Sequence, residues 1–367
     1  MILGTVLALA GGGTAFALEE TVGAADRSIT QQNLLGSARD GTPARPASLH
    51  GPKNILLVGI DRRAGQAAGT PVRSDSIILM HIAADHRSAY LISLPRDSYV
   101  HIPAYDNGVF KYLGGKDKIN ASFAYGSRGL TGATQLSHGF ELLSLTVKQL
   151  TGITPDAGAV IDFAGFRNGV NVLGKVCMYV DEDTTSIHIG HTADGKQAKP
   201  YAENPDGTIN HKIPGVTPNF YAKGEHCFTP VEALDFVRQR DLLANHDSDY
   251  GRQRHQQQFL KAVLKQAEHD GLNSPTKLPG LITAIGRTMT VDSGGVSLED
   301  WAFAMRGVNP SDLVTIKTNA GKLNSRSVPG VGSVELLSPQ STELLRAART
   351  DTVAQFVAAH PSWVAQS

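Results

Sequence analysis

NILLVGIDRR (54–63), RSDSIILMHI (73–82) and AYLISLPRD (89–97) are three short apolar runs with Asp and Arg stationed at their ends. They read as neighbouring strands joined as successive hairpins. Asp61 then ends the first strand, Arg73 and Asp75 open the second, and Arg96 and Asp97 follow the third. All five groups fall on one edge of one sheet. Carboxylates suit a hard cation and guanidinium groups suit phosphate oxygens, so this edge describes a site for a metal-bound phosphorylated ligand. Each group also has a plainer reading. Asp61 is a turn residue type, Arg73 with Asp75 would make a surface ion pair, and Asp97 could simply pair with Arg96.

Working outward, KINASFAYG (118–126) and the helical pattern from Gln135 to Leu150 lead into TGITPDAGAVIDFAGFRNGVNVLG (151–174), which reads as strand, helix and turn. VCMYV (176–180) is a further strand. Asp181 to Gly224 is polar and carries Pro, Gly, Asn and His, as expected of an extended hairpin or surface loop over the fold. Thr229-Pro230-Val231-Glu232 is a capping box with Pro at the first helical position, opening TPVEALDFVRQR. Asp249 is the expected cap of DYGRQRHQQQFLKAVLKQA, whose Phe259, Leu260, Val263 and Leu264 supply one apolar stripe. SLEDWAFAMRGV (297–308) and PQSTELLRAARTDTVAQFVAAH (339–360) read as two more helices flanking the strand-like DLVTIKT (312–318). This alternation argues an α/β layered domain.

The chain has 367 residues, 41% of them hydrophobic and 19% charged, enough for one large domain with an N-terminal extension. Lys plus Arg equals Asp plus Glu at 34 each, so no global field draws the protein to nucleic acid. An anion site must come from a local concentration of Arg. Residues 2–18, ILGTVLALAGGGTAFAL, hold no charge, and that length is roughly the shortest that crosses a bilayer as a helix. They read as a membrane anchor, or as a secretory signal with Ala15-Phe16-Ala17 as its cleavage site. Either places the remainder outside the cell. Residues 19–52, with prolines at 43, 46 and 52, read as a partly ordered stalk with a short helix near Ile29 to Leu35. The domain itself is expected over 53–367.

Cys177 and Cys227 are the only cysteines. An exported protein with an even pair is expected to join them, closing the polar loop between, although two separate buried thiols are also compatible. A zinc site lacks the other ligands it would need.

Arg252 and Arg254 fall in the first turns of their helix, where the macrodipole disfavours a cation by roughly 0.3–1 kcal/mol unless an anion is bound there. Arg252, His255 or Gln256, Phe259 and Val263 follow helical spacing, so Arg252 points along the buried face. Arg238 and Arg240 close the preceding helix, where cations suit the dipole without any ligand; their alternate spacing also lets two guanidinium groups converge on one pocket. Lys118 is either surface charge or a further phosphate contact. His188 and His191 read as solvated loop histidines. No G-x-S-x-G elbow, Walker loop or G-x-G-x-x-G fingerprint is present.

Taken in order, NILLVGID, RSDSIILMHI, LISLPRDSYVHIP, KINASFAYG, ALDFVRQR and DYGRQRHQQQFL resemble the LytR-CpsA-Psr family of cell-wall glycopolymer ligases, over roughly residues 53–268. The resemblance implies an α/β/α domain with a central mixed sheet flanked by helices, behind a single-pass membrane anchor and on the cell-wall side. It implies a phosphotransferase that moves a glycopolymer from a polyprenyl-pyrophosphate carrier to peptidoglycan; the protein is expected to be a monomer, and its charge balance argues against a nucleic-acid partner. Asp61 and Asp75 would hold Mg²⁺, or Mn²⁺ in its place. Arg73, Arg96, Arg238, Arg240 and Arg252 would grip the pyrophosphate, supported by Lys118 and Gln256, with Asp75 or Asp97 taking the acceptor's proton. Many members carry Arg where this chain has His255, which leaves that supporting role between Arg254 and His255. A pyrophosphohydrolase on the same lipid and a non-catalytic lipid- or wall-binding protein are the alternatives. The polymer itself is not legible.

Overall fold

The computed structural model describes residues 30–39, 49–62, 67–204, 208–267, 284, 286–297, 300–301 and 307–365. The apolar segment 2–18, most of the expected 19–52 stalk and most of the expected 297–308 helix lie outside them. Among the described residues no helix is long and apolar enough to cross a membrane.

A mixed sheet organises the chain. Its strands are β1 (Thr30–Gln31), β2 (Lys53–Ile60), β3 (Ser74–Ile82), β4 (Ala89–Ser93), β5 (Ala157–Asp162), β6 (Thr290–Asp292) and β7 (Val314–Lys317). They lie in the order β1-β6-β5-β2-β3-β4-β7. As the hairpin reading requires, β3 runs antiparallel to both β2 and β4. The pairs β1–β6, β5–β2 and β7–β4 are parallel.

The helices whose bounds fall among the described residues are α1 (Ile119–Ser127), α2 (Gly132–Thr151), α3 (Phe163–Val172), α4 (Pro230–Phe236), α5 (Asp249–Ala267), α6 (Pro339–Arg349) and α7 (Val353–Ala359). The central strands are apolar at almost every position because both of their faces are covered. Ile55, Leu57, Ile78 and Met80 share a core with Phe236 of α4 and with Phe259 and Val263 of α5. The intervening Leu56, Val58, Ile77 and Leu79 share another with Phe123, Phe140, Leu344 and Phe356 of α1, α2, α6 and α7. Alternation along a strand thus feeds two helical layers, an α/β/α arrangement.

Four local expectations meet a different outcome. Residues 30–39, read as stalk, pack into the domain: Thr30–Gln31 form the edge strand, Leu34 and Leu35 are fully buried, and Asp292 Oδ2 accepts from both of their backbone N–H groups at 2.9 and 3.0 Å. The short helix near Ile29 to Leu35 is replaced by that strand and by a 3₁₀ turn at Gly36–Arg39. The 339–360 helix divides in two because Asp351 takes a left-handed φ of 57°, which lets its carboxylate bond His81 Nε2 at 3.0 Å and the Ala84 N–H at 3.1 Å. Asp249 opens α5 rather than capping it, its carboxylate engaged by Arg252 and by Gln253 Nε2.

The capping box forms as read, with Thr229 and Glu232 bonding reciprocally ahead of α4. Asp181–Gly224 folds as hairpins, 184–192 pairing with 216–221 and 201–203 with 209–212. Cys177 and Cys227 stand directly opposite on the paired strands 176–180 and 224–228, joined by a disulfide.

Candidate functional site

The strand ends converge because the ladder carries a bulge. Gly59 pairs with Ser76 and Ile60 with Ser74, so Asp75 is an extra residue in β3, turned out of the ladder. The Asp61 N–H donates to the Arg73 carbonyl at 3.3 Å, keeping the two strand ends together. Arg96 Nη1 donates to Asp75 Oδ1 at 2.8 Å, and Arg96 Nε lies 3.7 Å from Asp97 Oδ2. Lys118, just before α1, reaches Asp97 Oδ1 at 3.0 Å. Arg73 Nη1 lies 3.4 Å from Asn120 Oδ1.

The end of α4 adds the second group. Gln239 is fully buried between Arg238 and Arg240; its Nε2 donates to Asp235 Oδ1 at 2.8 Å and its Oε1 accepts from the Ile187 N–H at 3.0 Å. That anchor leaves the flanking arginines on the cavity. Arg238 lies over the Phe163 ring, 4.4 Å from its centroid, and Arg240 Nε lies 3.4 Å from Asp241 Oδ2.

The first turns of α5 supply the third. Arg252 Nη2 donates to the Asp75 carbonyl at 3.0 Å and pairs with Asp249. Gln256 accepts from Ser76 Oγ at 2.8 Å and donates to the Val237 carbonyl at 3.2 Å. Arg254 and His255 lie elsewhere. Arg254 pairs with Asp181, Glu182 and Asp247. His255 is fully buried, stacked on Phe236 at 4.5 Å, with Nε2 3.3 Å from both Asp181 Oδ1 and Glu182 Oε1. Asp181, Glu182 and His255 bring ligand-type atoms within 4.8 Å of one another. The Arg254 guanidinium already bonds both carboxylates, so this is a buried ion network, with the cation supplied by the chain.

Asp61, Arg73, Asp75, Arg96, Asp97, Lys118, Arg238, Arg240, Arg252 and Gln256 all line one cavity of about 1030 Å³; Arg254 and His255 do not. Its lining also includes the apolar residues Ile161, Phe163, Phe166, Leu234 and Val237. Burial opposes the charge of Arg96, but Asp75, Asp249 and Asp97 overcome it and raise its pKa. Arg252 goes the other way: burial, aided by the neighbouring Arg96 charge, lowers its pKa despite Asp249, Asp75 and Asp97. Arg96 Nε and Arg252 Nε are buried without a hydrogen-bond partner among the described residues. Buried guanidinium N–H groups left in this state are an anion-binding device.

The cavity also holds residues the sequence did not single out: Asp117, Asn120, Tyr125, Asp162, Glu203 and the hairpin tip Gly330–Val331. His188, read as solvated, is among the lining residues, whereas His191 is exposed. Only Asp162 carried a local signal, as the cap of α3 accepting from the Gly165 N–H at 2.8 Å.

The LytR_cpsA_psr family model matches residues 8–347. The chain is 25% identical over 284 residues to the polyisoprenyl-teichoic acid–peptidoglycan teichoic acid transferase TagU of Bacillus cereus, covering 77% of this chain and 74% of that one. It is 30% identical over 296 residues to the probable cell wall biosynthesis protein LcpB of Corynebacterium glutamicum, covering 77% of this chain and 58% of LcpB. Protein gbs0355 of Streptococcus agalactiae superimposes with a TM-score of 0.60 at 21% identity, over 82% of this chain and 88% of that one. TagV of B. subtilis does so with a TM-score of 0.54 at 19% identity, over 83% and 98%. These two structures share its fold.

Proposed function

The chain belongs to the LytR_cpsA_psr family, and from that premise we propose that it moves a glycopolymer from a polyprenyl-pyrophosphate carrier to peptidoglycan on the outer side of the cell membrane. The observation that carries this reading is the pair of buried guanidinium Nε–H groups of Arg96 and Arg252 that make no hydrogen bond among the described residues, in a cavity that also holds Arg73, Arg238 and Arg240. Five guanidinium groups in one cavity match the charge and the forked acceptor geometry of a diphosphate. The apolar lining residues Phe163, Phe166, Leu234 and Val237 suit the first isoprene units of the carrier. The name of the TagU relative supports the class of donor and acceptor.

Phosphoryl transfer asks the protein mainly to position reactants and to neutralise the charge that gathers on the leaving group. In this reading Arg96, Arg240 and Arg252 stabilise the departing lipid phosphate, while Lys118 and Gln256 hold the ends of the site. Asp61 and Asp75 fit Mg²⁺, or Mn²⁺ in its place. Both are oxygen ligands on adjacent strand ends, the Asp75 bulge turns its carboxylate into the cavity, and Arg96 engages only Oδ1 of that group. A bound Mg²⁺ would supply further neutralisation of the diphosphate. The apolar 2–18 segment would hold the domain at the membrane surface as a single-pass monomer.

The test is to incubate the full chain with lipid-linked polymer, Mg²⁺ and peptidoglycan, and to measure polymer covalently attached to the wall. Attachment is the expected result. Release of polymer phosphate with no attachment to any acceptor would replace the transferase with a pyrophosphohydrolase, and donor binding without turnover would reduce it to a lipid-binding protein.

A further inference from the structure

His188 is delivered to the cavity by a second distortion of the backbone. The antiparallel register of strand 184–192 jumps from Thr185–Phe220 to Gly190–Pro218, so residues 186–189 stand opposite Asn219 alone. Such a bulge re-aims side chains, and this one is anchored on the end of α4, just ahead of Arg238 and Arg240. Ser186 Oγ donates to Asp235 Oδ1 at 2.9 Å and accepts from the N–H groups of His188 and Ile189 at 3.1 and 2.9 Å. Tyr221 also donates to Asp235, at 2.7 Å, and Gln239 holds the Ile187 N–H. A buried polar network this complete fixes one backbone conformation.

At the end of that device, His188 Nδ1 lies 3.2 Å from Glu203 Oε1, in the same cavity. An ionised Glu203 accepts from Nδ1–H, which makes Nε2 the lone-pair nitrogen. The cavity's arginines all donate; an acceptor nitrogen among them fits a hydroxyl, not a phosphate oxygen. We propose that His188 Nε2 binds the attacking hydroxyl of the peptidoglycan acceptor and takes its proton, with Glu203 orienting the ring. This rests on the transferase reading above. The hydroxyl oxygen forms a bond to the polymer-proximal phosphorus, and the bond from that phosphorus to the bridging oxygen breaks. Its electron pair stays on the departing lipid phosphate. The proton passes to Nε2 and leaves with the lipid phosphate or to solvent, while Glu203 remains ionised beside the imidazolium.

The charged groups facing His188 are Glu203, Arg238 and Lys199. Burial and Arg238 push its pKa down to about 4, with Lys199 adding to them and Glu203 opposing. The ring is therefore neutral and able to accept a proton at neutral pH. A diphosphate bound to Arg238 offsets that cation and moves the ring pKa back toward neutrality, where a general base works best.

The experiment uses the full chain, a synthetic prenyl-pyrophosphate-linked disaccharide as donor and purified peptidoglycan as acceptor. It records kcat against pH, donor Kd and the thermal melt. His188→Gln is expected to lower kcat about 10²- to 10⁴-fold, with donor Kd unchanged and the acidic limb of the profile lost. Glu203→Gln should lower kcat less and move that limb to lower pH, because the imidazolium loses its carboxylate. It carries the same test should His188→Gln melt early. Wild-type kcat in His188→Gln, a fall matched by an equal loss of donor affinity, or an unmoved acidic limb in both variants overturns the role of His188 while the wild type still attaches polymer. No attachment by the wild type overturns the transferase reading, and this assignment with it.

Discussion

Two regions furnish the cavity, and they are encoded at different ranges. The strand-end wall is local: Asp61, Arg73, Asp75, Arg96 and Asp97 lie within 37 residues, and the β2–β3–β4 hairpins, with a one-residue bulge at Asp75, bring them together. The opposite case is the segment 184–221. There His188 and Glu203 reach the cavity only after a bulge, a buried Asp235–Ser186–Gln239 network and a second hairpin have formed. In the first wall, periodicity and end residues bring the groups to one edge, and only the Asp75 bulge lies beyond them. In the second, function depends on which polar side chains find each other across long separations, and a polar sequence does not announce that.

The comparison predicts that charge removal in the cavity harms chemistry, whereas charge removal behind it harms stability. Arg96→Ala and Arg240→Ala should each lower transfer about 10³-fold or more with the melt nearly unchanged, since they strip charge from the proposed diphosphate site and open no core void. Wild-type turnover in either variant would remove that residue from the site. Arg254→Ala should do the reverse. It leaves Asp181, Glu182 and Asp247 without their shared cation and should destabilise the fold by about 3–5 kcal/mol, read by chemical denaturation. A transfer defect in Arg254→Ala at full stability would instead place that guanidinium on substrate.

Reduction of the Cys177–Cys227 bridge, which spans 50 residues, should lower stability by about 2–4 kcal/mol on the chain-entropy argument. A thermal melt unchanged by reductant would show that the 176–180 and 224–228 strand pairing suffices alone. The smallest effect concerns pH. Burial alone would raise the Asp181 carboxyl, but His255 and Arg254 hold it at about 2, and Glu182 is lowered by the same neighbours with help from the Asn245 N–H. Depressed carboxylates stabilise the native state above their unfolded pKa of about 4, and that contribution is lost as pH falls toward 2. Wild-type stability should drop across that window, and Arg254→Ala should show a shallower drop. Parallel pH curves would contradict this coupling.

How much was legible follows the same division. The sheet, the α/β alternation, the capping box, the arginines that follow α4 and Arg252 of α5 were visible because each is set by neighbours within a few residues. The Asp75 bulge was not, since a one-residue slip appears only when β2 and β3 are paired. Leu34 and Leu35 were hidden in a stretch of low periodicity because their burial depends on Asp292, more than 250 residues away. The division between α6 and α7 was hidden for a similar reason. Asp351 leaves the helical region to reach His81, and no local residue type forces it to do so.

The buried Gln239 has a further implication for how such proteins diversify. With its amide locked to Asp235 and Ile187, the alternation of positions 238 to 240 leaves no freedom of phase, so gaining or losing one residue there would send both neighbouring guanidinium groups inward and the amide outward. The hairpin tip near 193–196 is exposed, and its side chains bond only within the tip, Asp194 with Thr192 and Lys196. Length variation is therefore tolerable at that tip and forbidden at the arginine pair, which lets the outer contour be remodelled for a new polymer while the reaction centre keeps its geometry.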